Sequence, residues 1–279
     1  MLTIAIPLYN RHDLLKIMAD SLYKMDFPIP CNIRIYDDCS SEYDISEIKK
    51  IFPTAASIRR NERNFKADMN MFLFYKDFLS TNDEYLFNAD SDIIFNKNCI
   101  SKALDLIKYT DGVLSVFNAT SHPPKEIIDE NLCIKETIGA AGTFFSRKRI
   151  EEIVNYFSSQ SSSEKTSFDW KWSKFLVENN IRIFCTNISL VQHIGYYGQN
   201  TIIKYKGYKK IATYKPYFDY GRNFIIDTIE TGQIINNIFE KFIDQNRIED
   251  ERIVKIFSQR PITRFKAFIK KMINYKESE

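Results

Sequence analysis

The chain has 279 residues, 44% of them hydrophobic, enough to bury one large core or one core with an appendage and too apolar for a disordered chain. With 39 Lys plus Arg against 36 Asp plus Glu the charge is nearly balanced, which gives no argument for nucleic acid as a partner. Cys31, Cys39, Cys99, Cys133 and Cys185 are odd in number, widely spaced and without a CxxC pair, which points to reduced thiols and against a disulfide framework or a structural zinc site.

In chain order, residues 2–6 form a β-branched and apolar run stopped by Pro7 and followed by Leu8-Tyr9-Asn10-Arg11. Leu14, Leu15, Met18, Leu22 and Met25 then recur at helical spacing. Residues 32–36 repeat the strand pattern and end in Asp37-Asp38-Cys39-Ser40-Ser41, and Ile45, Ile48 and Ile51 predict a second helix closed by Pro53. A weaker strand over 55–59 precedes a helix over 66–79. A strand over 85–88 delivers Asp90-Ser91-Asp92, and a helix over 97–109 and a strand over 112–117 continue the alternation.

Such alternation predicts an α/β domain with a mainly parallel sheet, whose ligands bind beyond the carboxyl ends of the strands. Three polar groups fall at equivalent positions: Tyr9, Asn10 and Arg11 after the first strand, Asp37 and Asp38 after the second, Asp90 and Asp92 after a later one. In an extended chain residues i and i+2 share a side, so both carboxylates of the last group would face one point. Two hard anionic oxygens suit Mg²⁺ or Mn²⁺. Alone, an Asp-x-Asp is weak evidence, since two nearby aspartates are more often a solvated turn or a helix cap. The chain lacks GxGxxG and GxxxxGK[ST], which leaves a metal bridging the phosphates as the remaining common solution for a nucleotide ligand.

After Phe117 the alternation breaks. A loop over 118–130 carries His122-Pro123-Pro124, a strand is expected over 132–137, and Ile138-Gly139-Ala140-Ala141-Gly142-Thr143 is a cluster of small residues. The cluster either lets backbone approach a ligand or forms an ordinary tight turn. A helix over 147–157 and a serine-rich loop over 158–167 lead into Phe168-Asp169-Trp170 at the start of another helix. Asp169 is either a favourable charge on the helix dipole or a general base in an aromatic-walled pocket. Strands over 181–185 and 189–191 follow, and His193 after the second is either structural or, near Asp92, part of a metal shell.

Beyond residue 200, Tyr205, Tyr208, Tyr214, Tyr217 and Tyr220 interleave with Lys204, Lys206, Lys209, Lys210 and Lys215. No nucleic-acid motif accompanies them, so acceptor or membrane-surface contact is the preferred reading. Residues 225–243 look helical. The stretch 252–276, divided by Pro261, alternates apolar and basic residues. It fits a helix lying on an anionic membrane, where lipid-linked acceptors reside, or one packed on the catalytic domain or a dimer partner.

Taken together, Ile4-Ala5-Ile6-Pro7-Leu8-Tyr9-Asn10-Arg11, Asp37-Asp38-Cys39-Ser40, Asn61 to Asn64, Asp90-Ser91-Asp92, Gly139 to Phe145 and Phe168-Asp169 give residues 1–200 a specific likeness. In this order they resemble the GT-A fold, family 2 type nucleotide-sugar glycosyltransferases of bacterial polysaccharide synthesis. The resemblance implies a Rossmann-like, mainly parallel sheet flanked by helices over 1–200, with a mostly helical extension over 201–279. It implies a metal-dependent inverting transfer of a hexosyl or N-acetylhexosaminyl group from a UDP-sugar to a hydroxyl of a glycan or lipid-linked saccharide. By the same resemblance Pro7, Tyr9, Arg11, Asp38, Arg63, Lys66, Asp90 and Ser91 bind the nucleotide-sugar. Asp90, Asp92 and His193 hold Mn²⁺ or Mg²⁺, Asp169 is the base, and Gly142 and Trp170 lie on the acceptor side.

The chain departs from the family pattern at three places. Cys39 stands where Gly is usual, Phe65-Lys66 where Asn-x-Gly is common, and Phe168 where an acid usually precedes Asp169. No Gln-x-x-Arg-Trp follows Asp169, which argues against a processive synthase. With no signal-peptide pattern and no apolar window of about 18 residues, the expected location is the cytoplasm or the inner face of the plasma membrane. A non-catalytic nucleotide-sugar or glycan-binding module is the alternative. A nucleotidyltransferase also uses paired aspartates but normally carries a glycine-rich loop where this chain has 7–11.

Overall fold

The computed structural model describes residues 1–160, 167–195, 202–207, 211–216, 221–226 and 228–258. Met1–Ile194 together with Asp219–Ile229 forms one compact unit, and the remainder a second.

The first unit opens with β1 (Leu2–Leu8), almost continuously buried, as a parallel strand covered on both faces must be. It leads to α1 (His12–Tyr23), which buries Leu14, Leu15, Met18, Ala19 and Leu22 along one stripe. β2 (Cys31–Asp37) and α2 (Ile45–Ile51) follow. The side chain of Asp44 accepts the Glu47 N–H at 2.9 Å and so caps α2, and Pro53 forbids its continuation. Next come β3 (Ser57–Arg60), α3 (Lys66–Leu79), β4 (Tyr85–Asn88), β5 (Ile93–Phe95), α4 (Cys99–Ile107) and β6 (Val113–Ser115). Then β7 (Glu126–Ile127), β8 (Leu132–Lys135), β9 (Thr143–Ser146), α5 (Arg147–Ser158), α6 (Phe168–Glu178), β10 (Ile183–Thr186) and β11 (Val191–His193) complete it.

Nine strands form one sheet in the order β3-β2-β1-β4-β9-β6-β10-β8-β7. β3, β2, β1 and β4 are mutually parallel. β9 runs antiparallel between β4 and β6, and β10 returns parallel to β6. Alternation along the strands sorts side chains to two faces. Ile4, Ile6, Phe87 and Phe144 join a core with α1 and α4, whereas Ala5, Leu86 and Phe145 join another with α3, α5 and α6.

Pro7 lies inside a central strand, where a missing N–H would normally break a ladder. β1 pairs with β4 only from Leu2 to Ala5, so Pro7 falls beyond that ladder and the chain opens there toward the loops.

Two expectations shift. The strand expected at 189–191 is β11, ending at His193, and it leaves the main sheet to pair antiparallel with β5. The Asp-x-Asp stretch is likewise not a single extended run: Asp90 follows β4, while Ser91 and Asp92 form a turn into β5. The reason is common to both, because β5 must turn off the main ladder to meet β11.

In the second unit β12 (Ile202–Gly207) and β13 (Ile211–Pro216) form an antiparallel hairpin that the sequence reading did not foresee. α7 (Ile229–Ser258) runs past the expected end at 243, since no Pro or Gly interrupts the sequence between Gly232 and Pro261. No described helix is long and apolar enough to cross a membrane. The interleaved Tyr208, Tyr217 and Tyr220 lie outside the described residues, as does 259–276.

Candidate functional site

Because β1, β2 and β4 are parallel and adjacent, the segments that follow them emerge at one edge. Their polar residues are tied together there. The Asp38 N–H donates to Leu8 O at 2.8 Å, and the Asn10 side-chain oxygen accepts the Ser41 N–H at 2.8 Å. Asn10 and Arg11 both take left-handed backbone, with φ of 53° and 60°, which turns the chain sharply from β1 into α1.

That turn sends Arg11 toward the third segment. Its Nη1 lies 2.5 Å from Asp92 Oδ2, and His193 Nε2 reaches the same oxygen at 3.2 Å. The β5–β11 register places His193 opposite Ile93, and the Ile194 N–H donates to Asp92 O at 2.8 Å. Phe117 stacks on the His193 ring, with centroids 6.3 Å apart.

Electrostatics follow from this packing. Burial works against a charge on Asp92, but the Arg11 guanidinium and the His193 imidazole outweigh it and hold the carboxyl well below the usual range. Burial also opposes an imidazolium at His193, yet Asp92 and then Asp90 carry its pKa above the ordinary value. His193 and Arg11 also favour the charged form of Asp90, but there they do not prevail. Burial, then the charge of Asp92, push it up to about 7.

Asn88, which the sequence reading passed over, steers Asp90. At the end of β4 its Nδ2 donates to Ala140 O at 2.7 Å and to Asp90 Oδ1 at 3.3 Å. The Asp90 carboxylate is thereby linked to the small-residue cluster.

Gly142 in that cluster has φ +67°, and an added Cβ would lie 2.9 Å from Val191 Cγ2 and 3.1 Å from Phe117 Cβ. Its N–H donates to Asn88 O and its carbonyl accepts the Val116 N–H. These contacts make Gly142 a close-packing position between β4, β11 and the segment after β6.

Asp38 is buried, with Oδ1 accepting from Asn61 Nδ2 and the Phe65 N–H, each at 2.8 Å. Tyr9 is exposed, as a residue able to lie against a flat ligand must be. Ser91 is buried inside the turn. Arg63 lies over the Phe65 ring at 5.1 Å, and Lys66 is exposed at φ 70°. Neither makes a described contact with Asp90 or Asp92. Cys39, at the usual glycine position, nonetheless takes left-handed backbone with φ 63°.

Asp169 stands in the first turn of α6, its Oδ1 accepting the Trp170 N–H at 2.9 Å. Burial lifts it to about 6 against that hydrogen bond, with the charge of Asp68 adding to the rise. Asp68 is a second residue the sequence reading missed. From α3 it accepts the Ser167 N–H at 3.0 Å and the Phe168 N–H at 2.9 Å. Trp170, 53% exposed, rests its ring on that of His122, with centroids 5.3 Å apart. His122 Nδ1 is in turn 2.9 Å from Thr137 Oγ1.

Among the described residues no group of three or more His, Cys, Asp or Glu side chains forms a metal cage. The donor set is smaller: a carboxylate oxygen and an imidazole nitrogen converge, with a second carboxylate nearby. Such a set fits a divalent cation that takes its other ligands from phosphate oxygens.

The model of the family described as Glycosyl transferase family 2 matches residues 3–161. Among solved structures, S. aureus TarS 1-349 in complex with UDP-GlcNAc is similar at TM-score 0.51 and 17% identity, over 67% of this chain and 56% of that one. Its complex with UDP gives 0.52 and 16%, over 67% and 57%. A further S. aureus TarS structure gives 0.50 and 18%, over 66% and 34%. This chain thus spans little more than half of TarS 1-349. At these identities the likeness concerns the fold. No curated protein matches.

Proposed function

The chain belongs to glycosyl transferase family 2, and on that premise we propose that it transfers a sugar from a nucleotide-sugar donor to an acceptor hydroxyl. The observation that carries this reading is the convergence on one Asp92 oxygen of Arg11, from the loop after β1, and His193, from β11. It gathers cationic and metal-binding groups where a parallel sheet offers its ligand edge. A UDP-sugar is the favoured donor, because the TarS fold relatives were solved with UDP-GlcNAc and UDP.

In this reading exposed Tyr9 lies against the base and Asp38 bonds to it. Arg11, Ser91 and Asp90 meet the diphosphate and ribose, with Pro7 shaping the opening and Arg63 and Lys66 at its margin. Asp92, His193 and Asp90 would hold Mn²⁺ or Mg²⁺. When bound, that ion supplies Lewis-acid stabilisation of the negative charge growing on the nucleoside diphosphate.

Asp169 takes the proton from the acceptor hydroxyl as its oxygen attacks the anomeric carbon from the face opposite the leaving group. One displacement inverts the configuration. A carboxylate poised near 6 is ionised at neutral pH and basic enough to accept a proton in the transition state. The exposed Trp170 ring beside it offers an apolar wall for a sugar acceptor, a glycan or lipid-linked saccharide.

A panel of nucleotide sugars with Mn²⁺ tests the reading. Expected is release of nucleoside diphosphate with at least one donor, increased by a saccharide acceptor. Thermal-shift binding of a donor without any turnover across the panel would favour a non-catalytic binding module instead.

A further inference from the structure

Helix α6 carries Asp169 but does not cap itself. Ser167, the residue before it, sits at φ 55° and its hydroxyl makes no capping bond. Left-handed backbone is unfavourable for a serine, and an uncapped first turn leaves amides without partners. Both deficits are met from α3. Asp68 spends one carboxylate oxygen on the Ser167 N–H at 3.0 Å and the other on the Phe168 N–H at 2.9 Å. An acid in the first turn of α3 would ordinarily be explained by the dipole of its own helix. This one is aimed instead at the two consecutive amides directly ahead of Asp169, at a sequence separation of 99 and 100 residues.

The rest of α6 explains why a clamp is needed there. Phe168 and Trp172 are fully buried in the core shared by α3 and α5, which fixes the axis of the helix. The first turn, by contrast, follows directly on the serine-rich segment. Its Trp170 and Lys171 amides bond within the turn, to Asp169 Oδ1 and Ser167 O. Among the described residues the bonds that tie its leading amides to another element are those of Asp68. Asp169 is the next residue, so a small rotation of that turn would carry its carboxylate away from Asp90. Two charge-assisted bonds from one rigid carboxylate oppose such a rotation.

We propose that Asp68 is a positioning residue for the transfer reaction: by clamping the two amides ahead of Asp169 it fixes where that carboxylate stands, with its own negative charge alongside. The proposal rests on Asp169 being the base. Among the described residues the other groups acting electrostatically with Asp169 are Asp90 after β4 and the Tyr75 hydroxyl on α3, which is buried and has no hydrogen-bond partner there. Of these, Asp68 alone bonds to the backbone that carries Asp169.

The test compares Asp68→Asn, Asp68→Ala and Asp169→Asn in the full chain, reading the pH profile of kcat and the donor KM. Asp68→Asn keeps one accepting oxygen but no charge. It should move the acid limb of kcat down by roughly half a unit. Asp68→Ala loses both bonds and should lower kcat about tenfold with the donor KM unchanged. If Asp68→Ala fails to fold, the limb of Asp68→Asn still decides. An inactive Asp169→Asn beside Asp68 variants with the wild-type limb and kcat would overturn this proposal and leave the base assignment standing. Normal transfer by Asp169→Asn would overturn the base assignment and this proposal with it.

Discussion

Arg11 and Asp92 form an ion pair at 2.5 Å on the very oxygen that receives His193 at 3.2 Å. A guanidinium thus holds the lone pairs that a divalent cation would need. For Asp92 to hold an ion, Arg11 would have to give up that oxygen, and its guanidinium would then be placed to pair with a phosphate oxygen of the donor.

The first prediction concerns this competition. Arg11→Met should bind Mn²⁺ in the absence of nucleotide about tenfold more tightly than the unaltered chain, about 1.4 kcal/mol, because it removes the resident cation. Asp92→Ala should lose that binding and the Mn²⁺-dependent affinity for nucleoside diphosphate. Titration calorimetry reads both. An Arg11→Met protein that binds Mn²⁺ no better would count against competition at Oδ2.

The second concerns Asp169, lifted to about 6 by burial. A base must be ionised, so kcat should fall as pH drops through about 6 and level off above it. Asp169→Asn should lower transfer by roughly 10²–10⁴ while donor binding persists. The sign for stability is opposite. A carboxyl with a raised folded value binds more protons folded than unfolded, so it costs stability as pH rises from its ordinary range through about 6. Asp169→Asn should therefore raise the thermal midpoint at pH 7.5 and leave it unchanged near pH 4. A variant that loses both activity and stability at pH 7.5 would mean a structural defect instead.

The third tests the strained loop after β2. Cys39 at φ 63° occupies a conformation costing about 1 kcal/mol for a residue with a Cβ. Cys39→Gly should relieve it and raise the midpoint by about 1–3 °C, less whatever Gly adds to unfolded-chain entropy. Cys39→Ala keeps the Cβ and should give no such rise, so equal midpoints for the two would remove the strain argument.

Much of the fold was legible in the sequence because its cause is local. The 3.6-residue recurrence of Leu14, Leu15, Met18 and Leu22 specifies α1, Asp44 and Pro53 bracket α2, and the apolar run of β1 specifies a strand buried on both faces. Parallel order then brings the ends of β1, β2 and β4 to one edge, so the placing of Tyr9, Asp38 and Asp90 after strands that share that edge needed only the alternation of elements. The hairpin β12–β13 escaped because mixed Lys and Tyr residues carry no clear alternation over 202–216.

What the residues by themselves determined is the chemistry on offer: carboxylates, a histidine and an arginine, and the strand after which each emerges. Tertiary structure alone decided the partnerships. Nothing local reveals that β5 leaves the main sheet for β11 and so brings His193 to Asp92, or that Asp68 bonds across to the start of α6. Those pairings join residues far apart in the chain. They are selected by the packing of whole elements, whose burial outweighs the preference of any single residue, and a reading confined to neighbours along the sequence has no access to it.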